Sequence, residues 1–375
     1  MERQNKQLSF AVIGGGHGGQ GMAAYLAYLG HKVRLFNRTI TKVKAIKEQG
    51  YIEMEGTISG KGYIDLVTNN IEQAIRGVDV IMVVVPASAH KYIASLIAPH
   101  VTTEQYIVLN PGRTGGAFEF QNIIRKNNPL KNVCIIEAQT LLFACRTIED
   151  GKVNILGKKN EVKIAALPAV RTKEFIDKVN HVLPEFVETN SVLDTSFNNI
   201  GALLHPIPTI LNCGRIESTK GDFLYYIEGI TPSVARIIEE VDYERMKIAM
   251  VLGAEVISLR DWLGYTYNAY GNTLCEALSN AKGYWSIKAP STVDTRYIFE
   301  DVPQSLVPIA DMGRYLGIET PTINSMIHLA SVVHNKNYFK LGRKVMDMGL
   351  EGLSLDEIKR YVTDGEIYQA EGVVA

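Results

Sequence analysis

The chain is short of cysteine, of net charge and of long apolar runs, and each shortage removes a class of function. Its four cysteines, Cys134, Cys145, Cys213 and Cys275, never fall in a C-x-x-C spacing. That argues against a structural zinc site or a disulfide framework and for reduced, buried side chains, so no metal is expected. Lys and Arg total 39 against 40 Asp and Glu, a formal charge of -1, so no general field draws the chain to nucleic acid or to an anionic membrane. No apolar run approaches the ~18 residues of a membrane span. The lead MERQNKQLS has no apolar core of the kind a signal peptide carries, and a soluble, cytoplasmic protein is the expectation. Fixed-period repeats and low-complexity segments are also missing. Binding must therefore be local, and 375 residues leave room for two domains at roughly 100 to 200 residues each.

What is present begins at Leu8. The apolar run Phe10-Ala11-Val12-Ile13 breaks on Gly14, Gly16 and Gly19, a G-x-G-x-x-G spacing that binds a dinucleotide when it joins a strand to a helix. The first glycine makes the turn, the second lets main-chain N–H groups approach a pyrophosphate, and the third lets the helix pack on the strand. Glycine-rich turns occur in many folds, so the flanks decide. Met22, Ala23, Leu26, Ala27 and Leu29 cover a helical face, Gly30 suits the helix end, and Lys32 to Phe36 reads as a second strand.

The end of that second strand also lacks something. An NAD-preferring site places Asp or Glu roughly 20 residues past the first glycine, on the ribose hydroxyls. Here the residues are Asn37, Arg38 and Thr39. A carboxylate would repel a 2′-phosphate, whereas Arg38 offers a guanidinium fork and its neighbours uncharged donors. NADP(H) is the preferred cofactor on this reading, with NAD(H) as the alternative; otherwise Arg38 is a solvated loop cation.

Beyond Thr39 a helix to Gln49 precedes a glycine-punctuated stretch, Tyr51 to Asn70, that reads as a hairpin inserted into a doubly wound sheet. Asp79-VIMVVVPA is a strand buried on both faces, so Pro86 should border the cofactor at the ligand edge of the sheet. The alternation repeats through Tyr106-IVLNPG, Arg113-Thr114-Gly115-Gly116, and Val133-CIIEAQT, which places Glu137, Gln139 and Thr140 on the same edge. KVNILG and EVKIAALPA look like a second hairpin. Near Ser191 long helical patterns take over, the longest from Ser233 to Leu263. The expected architecture is α/β: a Rossmann-like doubly wound parallel sheet over 1–190, then an all-helical substrate and catalytic domain over 191–375, with the substrate held between them.

Two features of the second half can carry chemistry. His205 lies in the apolar Asn198-NIGALLHPIPTILNCG, where an imidazole is costly to bury without a partner; it is either a satisfied core residue or a catalyst. Arg296-YIFEDVP holds a guanidinium and two carboxylates. In the functional reading Asp301, or its neighbour Glu300, orients His205, and Arg296 takes a substrate carboxylate in a bidentate fork. In the plain reading the cluster is a solvated loop.

These stretches resemble the opine dehydrogenases of the octopine and nopaline dehydrogenase type, over nearly the whole chain. The matches are the glycine turn, VPASAH at Val85 to His90, NPGRTGG at Asn110 to Gly116, EAQTLLFACR at Glu137 to Arg146, HP at His205, VDYERMKIAMVLG at Val241 to Gly253, and RYIFEDVP at Arg296 to Pro303. The resemblance implies an enzyme that condenses the amine of an amino acid with a 2-oxo acid and reduces the imine with a nicotinamide cofactor. It implies His205 and Asp301 as the catalytic pair and Arg296 as a carboxylate ligand. Thr140, Cys145 and Arg113 become pocket residues, Cys145 as a wall and not a nucleophile. The runner-up is a 2-dehydropantoate or 3-hydroxyacid type of reductase. Such reductases place a catalytic lysine on the opening helix of the second domain, and this chain has no lysine between Lys178 and Lys220. A nucleotide sensor without catalysis would need the glycine turn but none of His205, Asp301 and Arg296. The identity of the amino acid and the 2-oxo acid stays open, as does the assembly, a homodimer being one option.

Overall fold

The structure, a computed structural model, describes residues 7–128 and 132–366. It divides into two compact units, Met1–Ser196 with Asp356–Ala375, and Phe197–Leu355.

The first unit holds twelve strands: β1 (Ser9–Ile13), β2 (Lys32–Phe36), β3 (Tyr51–Gly56), β4 (Gly60–Tyr63), β5 (Leu66–Thr68), β6 (Val80–Val83), β7 (Tyr106–Leu109), β8 (Cys134–Ala138), β9 (Phe143–Glu149), β10 (Lys152–Lys158), β11 (Val162–Leu167) and β12 (Phe186–Glu188). Eight of them form one sheet in the order β12-β11-β8-β7-β6-β1-β2-β5. Its pairs are parallel except β11 with β8. Strands β6, β7 and β8 are buried at every residue, which is why they read as unbroken apolar runs. The chain leaves β1 toward β2 on one side and reaches β6 on the other, so the glycine turn after β1 stands where strand order reverses, the place at which open α/β sheets hold ligands.

The remaining four strands form a second sheet, β4-β3-β10-β9. This corrects the expectation of a hairpin inserted into the main sheet: β3 and β4 do form a hairpin, but β3 pairs in parallel with β10. KVNILG and EVKIAALPA likewise do not pair with each other. The first, in β10, pairs with β9, and the second, in β11, joins β8 in the main sheet. The second sheet covers the outer side of the helix His17–Tyr28. A Cβ on Gly62 would come 2.2 Å from the Ala24 carbonyl oxygen, and one on Gly21 would come 3.2 Å from the Cys145 sulfur. A helix packed on two sides needs small residues around its girth, and Gly21, Ala23 and Ala24 supply them.

Two boundaries differ from the expected 190/191 division. Thr195 and Ser196 belong to the first unit because both hydroxyls donate to the buried Glu137, at 2.8 and 2.7 Å. Most of the helix Leu355–Asp364 also belongs there: Tyr361 packs on Phe118 and lies under the Arg125 guanidinium, which itself donates to the Gly365 carbonyl.

The second unit is helical, and its only β feature among the described residues is a single bridge between Leu224 and Lys288. The long helix expected to run to Leu263 stops at Leu252. Gly253 takes the left-handed conformation (φ +81°) and a new helix starts at Leu259, capped by the Ser258 hydroxyl. The buried Asp242–Arg245 pair holds this break. Asp242 accepts the Leu259 N–H at 2.6 Å, and Arg245 donates to the Ile257 carbonyl at 2.7 Å.

Candidate active site

In the first unit the glycine turn has the form a pyrophosphate cradle needs. Gly14 has φ +118°, and a Cβ there would lie 2.4 Å from the Val84 carbonyl oxygen. A Cβ on Gly19 would fall 1.7 Å from the Gly14 oxygen, so only glycine lets the helix start this close to the strand. At Gly16, the N-cap, an added Cβ would meet no protein atom within 4 Å. The first turn of the helix holds no acidic residue and no side chain caps it, which leaves its positive end suited to an anion. These residues fit a dinucleotide.

Asn37 buttresses the turn: its side-chain oxygen accepts the Gly15 N–H at 3.1 Å and its amide donates to the Thr39 carbonyl at 2.8 Å. Arg38 and Thr39 are exposed. The Arg38 guanidinium lies over the Tyr92 ring, 5.7 Å from its centroid, and is in no ion pair among the described residues. Pro86, Arg113 and Thr140 follow the carboxyl ends of β6, β7 and β8 and so share one edge of the sheet. Pro86 is exposed and the other two are half-buried. Arg113 is in the left-handed region (φ +59°). Thr140 precedes Leu141, whose side chain packs against Gly18 of the glycine turn. Cys145 is placed differently. It is 4 % exposed, within the core, with its thiol donating to the His17 carbonyl at 3.2 Å. Burial pushes the thiol's pKa up, which keeps it neutral and a poor nucleophile. Glu137, although at the same edge, is consumed internally, accepting the Ala117 N–H at 2.8 Å as well as the two hydroxyls.

In the second unit His205 and Asp301, 96 residues apart, meet: Nδ1 is 3.0 Å from Oδ2. His205 sits between the helices Gly201–Leu204 and Pro206–Leu211. Pro206 has no N–H to continue the helical hydrogen-bond ladder, so the helix is interrupted at the histidine, which itself keeps helical angles. The histidine carbonyl is held at this break by hydroxyl donors, Tyr225 at 2.6 Å and Thr209 at 2.7 Å. The imidazole stacks on the Tyr297 ring, with centroids 4.3 Å apart and planes 10° from parallel. Its side chain is 25 % exposed, while Asp301 is 1 % exposed, so the pair has a buried carboxylate and an accessible ring.

Asp301 stands between the short helix Arg296–Phe299 and a π-helical turn, Val302–Leu306, a distortion frequent at functional sites. Its neighbour Glu300 is committed elsewhere, accepting from Arg296 Nε at 2.8 Å. The structure therefore gives Asp301, not Glu300, to the imidazole. Arg296 remains 60 % exposed beside its buried partner. Tyr297, Tyr225 and Thr209 were not singled out from sequence. A tyrosine next to Arg296 is unremarkable until the one-turn helix lays it on the imidazole.

Comparison with known proteins bears on this arrangement. Residues 188–334 match the family described as NAD/NADP octopine/nopaline dehydrogenase, alpha-helical domain, and residues 9–110 match the NAD binding domain of 6-phosphogluconate dehydrogenase. An opine dehydrogenase of Arthrobacter sp. (strain 1C) is 39 % identical over 355 residues, 94 % of this chain and 98 % of the relative. Among solved structures, octopine dehydrogenase in complex with NADH and agmatine superposes with a TM-score of 0.81 at 20 % identity, over 96 % of this chain and 98 % of that one. Yersinopine dehydrogenase with NADP+ bound gives 0.70 at 14 % identity, over 95 % and 98 %; these two likenesses speak to fold. With a relative this similar along almost all of both chains, and with both domains matched in order, the chain belongs to the opine dehydrogenase family.

Proposed function

We infer that this oxidoreductase joins the amine of an amino acid to the keto carbon of a 2-oxo acid and reduces the resulting imine, with NADPH preferred over NADH. The observation that carries the reading is the His205–Asp301 pair, 3.0 Å apart with Glu300 held away by Arg296. Condensation forms a C–N bond and expels the keto oxygen as water, which needs a proton brought to that oxygen. An imidazole held by a carboxylate is suited to give and recover that proton near neutrality. Asp301 fixes the tautomer by accepting from Nδ1, which leaves Nε2 for the substrate. A bound nicotinamide supplies the hydride for the imine carbon.

Gly14, Gly16 and Gly19 would hold the pyrophosphate, and Asn37, Arg38 and Thr39 the adenosine ribose. Arg38 is exposed and carries no carboxylate partner, so it is available to a 2′-phosphate. Arg296 is assigned a substrate carboxylate, with Arg113 and Thr140 at the ligand edge of the first unit. Cys145, inside the core, acts through packing under the glycine turn.

The test is NADPH oxidation with 2-oxo acids offered alone and then with a panel of amino acids. A rate that depends on the amine supports condensation. Reduction of the 2-oxo acid without amine would favour the activity of a 2-dehydropantoate or 3-hydroxyacid type of reductase instead.

A further inference from the structure

We propose that His17 is a positioning residue for the cofactor: it ties the start of the glycine-turn helix to the second sheet, so that the main-chain N–H groups of the turn are already aimed when a pyrophosphate arrives. The proposal rests on the cofactor assignment above and gives the second sheet a part in it.

The helix His17–Tyr28 begins without support from its own cap. Gly16, the N-cap, has no side chain to accept a hydrogen bond, and no acidic residue follows in the first turn. Such an end suits an anion but is loosely held without one. Two side chains steady the residue before the cap: Asn37 accepts the Gly15 N–H at 3.1 Å, and Gln20 donates to the Gly15 carbonyl at 3.0 Å. The residue after the cap is steadied from β9. His17 Nδ1 accepts the Thr147 N–H at 2.9 Å, and the His17 carbonyl accepts the Cys145 thiol at 3.2 Å. The chain just before β9 adds packing, since a Cβ on Gly18 would lie 2.7 Å from the Leu141 side chain. With Gly15 and His17 both fixed, the N–H groups between and beside them keep their direction.

The strand explains why an acceptor is wanted here. β9 ends the second sheet, in the order β4-β3-β10-β9, so N–H groups on its outer edge have no neighbouring strand and need another partner. Thr147 donates outward, to a side chain 130 residues earlier. A ring nitrogen accepts only when it carries no proton, so Nδ1 is bare and the neutral imidazole keeps its hydrogen on Nε2. His17 is exposed, which means that the bond to β9, and not burial of the ring, accounts for its place.

The experiment compares wild type with His17→Asn, His17→Gln and His17→Ala. Asparagine carries its Oδ1 directly on Cγ, as histidine carries Nδ1, whereas the glutamine oxygen lies one atom further out. Amide hydrogen exchange over residues 14–19 of the cofactor-free protein should be slow in wild type and His17→Asn, and faster in His17→Gln and His17→Ala. Fluorescence titration should show the Kd for NADPH and for NADH raised alike in the Gln and Ala variants, by about three- to tenfold, the weight of one hydrogen bond. His17→Asn should restore both. Binding of adenosine, which has no pyrophosphate, should not change in any variant. Unchanged dinucleotide Kd in His17→Ala overturns the proposal, as does an equal loss of adenosine binding. A His17→Asn variant as weak as His17→Ala also overturns it, and points to Nε2 touching the cofactor directly. A wild type that binds neither dinucleotide is a different failure: it sinks the cofactor assignment and this inference with it.

Discussion

Arg296 and Glu300, one helical turn apart, form an ion pair at 2.8 Å in which the carboxylate is buried and the guanidinium exposed. This pair decides which of two adjacent acids serves the imidazole, since Glu300 turns back along its own helix and Asp301 is left to face His205. Removing Asp301's charge should therefore matter more than removing Glu300's. His205→Ala is expected to retain NADPH binding while turnover falls by about 10²–10⁴, the usual weight of a general acid–base group. Asp301→Asn should slow turnover more than Glu300→Gln does. Stopped-flow reduction with matched thermal melts checks both, and near-normal turnover in His205→Ala would return that residue to a core role.

Arg296→Lys should behave as a drastic change. An ammonium reproduces neither the bond from Nε to Glu300 nor two parallel bonds to a substrate carboxylate. The apparent KM for the substrate carboxylates should rise while the Kd for NADPH stays near wild type. Equal losses for substrate and cofactor would mean that the Glu300 anchor, not substrate contact, is what the arginine provides.

Cofactor choice should follow Arg38 and Asn37. A charge-assisted bond is worth roughly 1.5–3 kcal/mol, so Arg38→Ala is expected to weaken NADPH by about ten- to a hundredfold and NADH far less. Asn37→Asp keeps the acceptor for the Gly15 N–H but brings a charge that repels a 2′-phosphate. That variant should shift preference toward NADH. Fluorescence titration with both cofactors reads the result, and unchanged NADPH affinity in Arg38→Ala would make the residue a surface charge.

Glu137 illustrates a carboxylate at the ligand edge whose work is structural. It is 0 % exposed and collects the Ala117 N–H and the Thr195 and Ser196 hydroxyls. Glu137→Ala strands the Ala117 N–H and the Ser196 hydroxyl, while the Thr195 hydroxyl keeps the Val192 carbonyl at 3.1 Å, and stability should drop by roughly 3 kcal/mol. Urea denaturation of the cofactor-free protein tests this; a loss of activity without a loss of stability would argue for a role in chemistry instead.

His31 should make the first unit sensitive to acid. Its Nδ1 accepts the Leu8 N–H at 3.2 Å, which a protonated ring cannot do. Burial, and then the nearby His181, lower its pKa below the ordinary 6.5. The unfolded chain therefore takes up the proton first. Stability is full above about pH 6.5 and falls as the pH drops through that value toward the folded pKa. His181→Ala removes part of the shift and should flatten the decline in Tm between about pH 7 and pH 5. A decline unchanged by the substitution would place the acid sensitivity elsewhere.

The sequence by itself determined the strand, turn and helix of the cofactor domain, because that unit depends on local requirements. Only glycine tolerates the backbone at Gly14 and the 1.7 Å approach at Gly19, and strands buried on both faces must be apolar throughout. It also contained His205, Asp301 and Arg296 as residues with chemistry to do. Their grouping was decided by tertiary structure, as was the choice of Asp301 over Glu300, since 96 residues separate the histidine from the aspartate and neighbouring acids look alike in a string. The second sheet was equally hidden: β3 reaches β10 across about a hundred residues, and periodicity says which segments are strands but not which edges pair. The long helix broke at Gly253 for a comparable reason. Its apolar spacing continued past the glycine, but Asp242 and Arg245 captured the chain beyond Ile257. Contacts of that range depend on the whole packed unit, and no local pattern encodes them.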